Sequence, residues 1–179
     1  TDGIAEALMQ TVIRNAPIVM QHPDDYNARA EIMWAGSLSH NGLTDCGCDH
    51  GDWATHKMEH ELGGLFDVAH GAGLAAIWGS WARYVCDADY ARFARFATKV
   101  LNVAPQATDQ ETALAGIAAM EQFYRSIQMP TSLRELGVSP TEEQIQEMAR
   151  KCILATKGPA GKVKLLQQND VENIYRAAL

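Results

Sequence analysis

The chain has 179 residues, 47% apolar and 21% charged, with a net charge of -7 and no basic stripe. That balance describes one folded domain with its own core and excludes a disordered chain or a nucleic-acid footprint. The longest nearly apolar run, GAGLAAIWGSWA at 71–82, is too short for a bilayer and is broken by glycine and serine, so no membrane partner is expected.

Helical periodicity begins almost at Thr1. Ile4, Leu8, Met9, Val12 and Ile13 form a stripe, and Asn15 to Pro17 is expected to stop it. The chain opens on this stripe without an initiator methionine, which suggests a fragment or the mature part of something longer. After the turn HPDD, residues 25–40 read as a helix through Ala30, Met33, Trp34 and Leu38, closed by Asn41-Gly42. Beyond a polar loop, 53–63 and 70–85 read as two helices joined by a bend at Gly63-Gly64. Further helices are expected over 88–101, 109–128 and 140–155. Thr108 or Asp109 caps the second of these, and Ser139 caps the third with Glu142 three residues on. The tail, NDVENIYRAAL, is a last helix capped by Asn169 or Asp170. No strand alternation and no repeat is found, so the fold class is all-α.

His56 and His60 stand four apart, on one face of a helix, and His70 follows where FDVAHG turns into a glycine-bearing helix start. The letters H-K-M-E-H also fit the H-x-x-E-H of inverted zinc peptidases, with Glu59 as general base. A third reading makes the histidines incidental to a helical interaction module. His70 is followed by Gly71 and Gly73, which implies backbone packed closely against ligand, metal or another helix. The loop DCGCDHGD gathers Asp45, Cys46, Cys48, Asp49, His50 and Asp52, but lacks the second cysteine pair of a four-ligand zinc site and reads as solvated. GPAGKV at 158–163 is rejected as a phosphate loop: two residues separate its glycines, and Val163 stands where a hydroxyl is needed. Trp34, Trp53, Trp78 and Trp81 are assigned to core packing or a partner interface. The cysteines, at 46, 48, 86 and 152, do not form a disulfide framework, and no signal peptide is read, so a cytoplasmic setting is expected.

Four strings taken together, NARAEIMWAGSLSHNGL, DWATHKMEHELGGLFDVAHGAGLAAIWGSWARYV, LGVSPTEEQI and DVENIYRAAL, resemble the iron-containing (group III) alcohol dehydrogenases, in the NAD(P)H-dependent butanol dehydrogenase branch. The resemblance spans the chain in order. It implies a dehydroquinate synthase-like, all-helical C-terminal metal-binding domain over 1–179, part of a larger two-domain enzyme whose N-terminal domain binds NAD(P). It also implies a divalent metal, iron or sometimes zinc, with His56 and His70 as metal ligands and His60 as the catalytic histidine facing nicotinamide and substrate. An aspartate and a first histidine of the family's ligand set would lie before Thr1. A small alcohol or aldehyde substrate and a homo-oligomer follow from the same likeness. No cofactor-binding fingerprint is read in the chain, so these residues alone are expected to be inactive.

Overall fold

A computed structural model describes residues 1–47 and 51–179. Nine α-helices occur among them: α1 (Asp2–Gln21), α2 (Tyr26–His40), α3 (Ala54–Phe66), α4 (His70–Val85), α5 (Tyr90–Val100), α6 (Asp109–Ser126), α7 (Leu133–Leu136), α8 (Glu142–Thr156) and α9 (Gln168–Ala177). The expected all-α class holds. Extended pairing among the described residues is confined to an isolated bridge between Ala160 and Leu166. None of the helices is long and apolar enough to cross a membrane. The chain packs as two compact units, Thr1–Gly51 with Ala91–Ile127, and Asp52–Tyr90 with Gln128–Leu179.

In the first unit α1 lies against α2. Here the expected stop at Asn15 to Pro17 fails, because α1 continues through Pro17 to Gln21. Proline removes one hydrogen bond and bends a helix locally, which this 20-residue helix accommodates without ending. Asn15 stays in register by donating its side-chain amide to the Thr11 carbonyl at 2.8 Å. The stripe assigned to α2 is also corrected. Ala28 and Ala35 are the buried residues, whereas Met33 and Trp34 are 73% and 65% exposed. Two small side chains are thus the buried ones, while Leu38 is half-buried and Met33 and Trp34 are exposed. Arg92 makes a two-pronged contact with Asp2, both bonds 2.8 Å, and Arg95 reaches Glu6 at 2.6 Å. Thr108 caps α6 as expected, in a reciprocal box with Glu111.

The second unit carries the histidines. α3 packs on α4 and α8, α8 on α9, and α4 on both α7 and α9. Met58, Leu62, Ile77, Val85, Leu133, Ile145 and Ile174 seal its core. Three expectations shift. The Gly63-Gly64 bend is absent: α3 runs on to Phe66 and stops at Asp67, whose left-handed backbone (φ 52°) lets its N–H bond the Gly63 carbonyl. α8 is capped by Thr141 rather than Ser139, because Thr141 and Gln144 satisfy each other's backbone N–H groups. α9 starts at Gln168, with Asp170 accepting from the Gln167 N–H at 2.7 Å. The short α7 is an addition to the predicted helices; Ser132 caps it and Gly137 closes it in the left-handed region.

Candidate metal centre

α3 is positioned from its first residue by Asp52. One carboxylate oxygen accepts from the Ala54 N–H at 2.8 Å. The other accepts from the N–H groups of Lys162 and Val163 at 2.7 and 2.9 Å. The amides of the GPAGKV turn are thus taken by a carboxylate of the chain itself, which agrees with its rejection as a phosphate loop. Asp52 therefore acts as a structural clamp between the start of α3 and the amides of Lys162 and Val163. Cys46 is exposed and directs its thiol at the Gly42 carbonyl; Cys48, Asp49 and His50 lie outside the described residues.

From that start α3 presents Trp53, His56 and His60 along one side, and α4 begins at His70 beside them. The His56 and His70 ring centroids are 5.4 Å apart, those of His60 and His70 are 5.6 Å apart, and the Trp53 edge meets His56 at 4.6 Å. All three histidines named from the sequence are therefore brought together. Two imidazoles bound through nitrogen at about 2.0–2.1 Å in a tetrahedral shell have centroids roughly 5.3 Å apart. Both observed spacings suit that arrangement, and imidazole is a good donor to iron or zinc. The residues present fit a divalent transition metal. His60 and His70 are exposed and His56 is half-buried, so the cluster opens outward.

Glu59, given a role only in the alternative peptidase reading, lies inside this cluster. It is 2% exposed, and its carboxylate holds the Nδ1 of His70 in a close hydrogen bond. Its ligand atoms lie within 4.8 Å of those of His60 and His70. A peptidase base must face water and substrate, and a sealed carboxylate engaged by histidine does not. The available signal was periodicity: the buried residues of α3 are Ala54, Met58, Glu59 and Leu62, so an acid falls on its apolar face. Gly71-Ala72-Gly73-Leu74-Ala75-Ala76 lies at the start of α4. It has G-x-G-x-x-A spacing, but lies inside α4 with no preceding strand, so it is not a dinucleotide loop.

A helical unit with three imidazoles converging from one helix and the start of the next has the layout of a candidate metal centre. The chain belongs to the iron-containing alcohol dehydrogenases: the description "Fe-containing alcohol dehydrogenase family, C-terminal" matches residues 1–179. It is 34% identical over 176 residues to NADH-dependent butanol dehydrogenase A of Clostridium acetobutylicum, covering 98% of this chain and 44% of that one. It is 32% identical over 137 residues to the NADPH-dependent aldehyde reductase YqhD of Escherichia coli, covering 76% and 35%. Among solved structures, NADH-dependent butanol dehydrogenase A of Thermotoga maritima superposes with a TM-score of 0.91 at 32% identity, over 99% of this chain and 45% of that chain. The chain spans less than half the length of these relatives.

Proposed function

We propose that residues 1–179 serve as the metal- and substrate-site domain of an NAD(P)-dependent alcohol or aldehyde oxidoreductase, with the nicotinamide held by a part of the enzyme beyond them. The observation that carries this reading is the convergence of His56, His60 and His70. His56 and His70 hold the metal, from the body of α3 and the first residue of α4. When bound, a divalent ion supplies Lewis acidity toward the substrate oxygen and NAD(P) supplies hydride exchange. His60 accepts the hydroxyl proton during alcohol oxidation and returns it during aldehyde reduction. Imidazole suits this role because its charge changes near neutral pH. His60 is exposed on this domain, on the face left open to substrate and nicotinamide. The names of the relatives support a small alcohol or aldehyde as substrate, and the enzyme is expected to be a homo-oligomer.

The division of labour is tested on the complete enzyme. His60→Ala should keep its metal while kcat falls roughly 100- to 10,000-fold or its pH profile changes. His70→Ala should lose the metal itself. Metal analysis decides: equal loss in the two variants would overturn the roles. The 179 residues alone should not reduce NAD(P) when given iron(II) or zinc and a primary alcohol. Steady reduction that His70→Ala abolishes would show the rest of the enzyme to be dispensable.

A further inference from the structure

We infer that Glu59 is a positioning residue for the metal centre, fixing the His70 ring through Nδ1 so that Nε2 is the atom left to bind. This rests on the reading of His70 as a metal ligand. Three observations on separate residues carry it.

The first is the hydrogen bond itself, between helices, from His70 to a carboxylate that is 2% exposed. A carboxylate oxygen offers only lone pairs, so the ring nitrogen facing it is the one carrying hydrogen. In the neutral ring, the lone pair then sits on Nε2. Burying a carboxylate is costly unless a donor meets it, and His70 is that donor.

The second and third are the glycines around the carboxylate. A Cβ on Gly73 would lie 2.7 Å from Oε1 and 2.8 Å from Cγ of Glu59. A Cβ on Gly63 would lie 3.1 Å from the same Oε1. Both glycines are inside helices, where glycine is less favourable than alanine. By contrast, Gly64 and Gly71 have nothing within 4 Å of the same construction. The two helices are thus cut back to bare backbone where the Glu59 carboxylate is seated. The seat fixes the acid, and the acid fixes the ring. Partners of this kind orient a ligating imidazole and raise its basicity.

The test uses the complete enzyme loaded with zinc, a redox-inert probe, and follows zinc release to a chelator. In parallel, nitrogen NMR of histidine-labelled, metal-free protein reads the His70 tautomer, assigned by its loss in His70→Ala. Glu59→Ala should release zinc roughly 10- to 100-fold faster and lose the Nδ1–H tautomer. Glu59→Gln keeps an oxygen acceptor and should restore the tautomer and most of the retention. Gly73→Ala leaves Glu59 in the chain but displaces its carboxylate, and should also speed release; it carries the test if Glu59→Ala does not fold. Wild-type zinc release in folded Glu59→Ala or Gly73→Ala would overturn the inference. So would complete zinc loss in Glu59→Gln, which would make Glu59 a direct ligand. Zinc retained by His70→Ala would instead overturn the metal-ligand reading itself, so the two failures are distinct.

Discussion

Tyr175 shows what one polar atom does in a sealed core. It is fully buried on α9, and its hydroxyl donates to the Met58 carbonyl on α3 at 2.6 Å. Met58 immediately precedes Glu59, so this bond holds the turn of α3 from which Glu59 reaches His70. Tyr175→Phe keeps the ring volume and deletes the donor. It should lower stability by about 1 kcal/mol, the net worth of an ordinary hydrogen bond. Denaturant unfolding measures this, and an unchanged midpoint would show that the bond contributes nothing net.

Between helices, close approach is governed by which residues lack a side chain. In the first unit, Gly116 of α6 meets Ala97 of α5 so closely that a Cβ on Gly116 would stand 2.3 Å from the Ala97 Cβ and 2.9 Å from its Cα. Gly116→Ala gains about 1 kcal/mol of helix propensity and incurs overpacking of about 1–3 kcal/mol against backbone that cannot rotate away. The net expectation is a loss of roughly 1–2 kcal/mol, the clash at the upper end of that range outweighing propensity. Gly36→Ala on α2 is the control, because nothing lies within 4 Å of its added Cβ. It should be neutral or stabilising. Thermal unfolding of the pair checks the argument, and a Tm for Gly116→Ala at or above that of Gly36→Ala would contradict it.

Over the folded chain, buried protons set the alkaline limit. Burial pushes the Cys152 thiol from the ordinary 9.0 up to about 12, and burial likewise holds the Tyr175 phenol well above its ordinary value. Both groups keep their protons when folded and release them more readily when unfolded. Their contribution is therefore fully present below the thiol's unfolded value and is lost as pH rises toward 12. Denaturant midpoints should fall between pH ~9 and ~11, and less steeply in Cys152→Ala, which cannot titrate there. Parallel declines in the two proteins would remove Cys152 from the account. For the same reason Cys152 should resist alkylation at neutral pH until the chain unfolds, which peptide mapping reads directly.

What could be read without coordinates were features set by residues near one another in the chain. Apolar periodicity placed the long helices, Thr108 was one of two cap candidates ahead of α6, and the four-residue spacing of His56 and His60 put two imidazoles on one side of α3. His70 opened α4 as expected. Where reading failed, the deciding partner was remote or the packing outweighed a local preference. Pro17 and Gly63-Gly64 are breakers by propensity, yet α1 and α3 run through them: one local defect does not end a long helix, and α3 is also held by its buried Met58 and Leu62. Met33 and Trp34 carry the apolar letters of α2, but small Ala28 and Ala35 are its inward residues. Asp52 is tied to amides 110 and 111 residues away, which no local pattern announces. Glu59 is the sharpest case: its letter in H-K-M-E-H suits a base in water as well as a buried partner. Tertiary structure alone turned it inward, by placing the His70 ring and the bare backbone of Gly63 and Gly73 around its carboxylate.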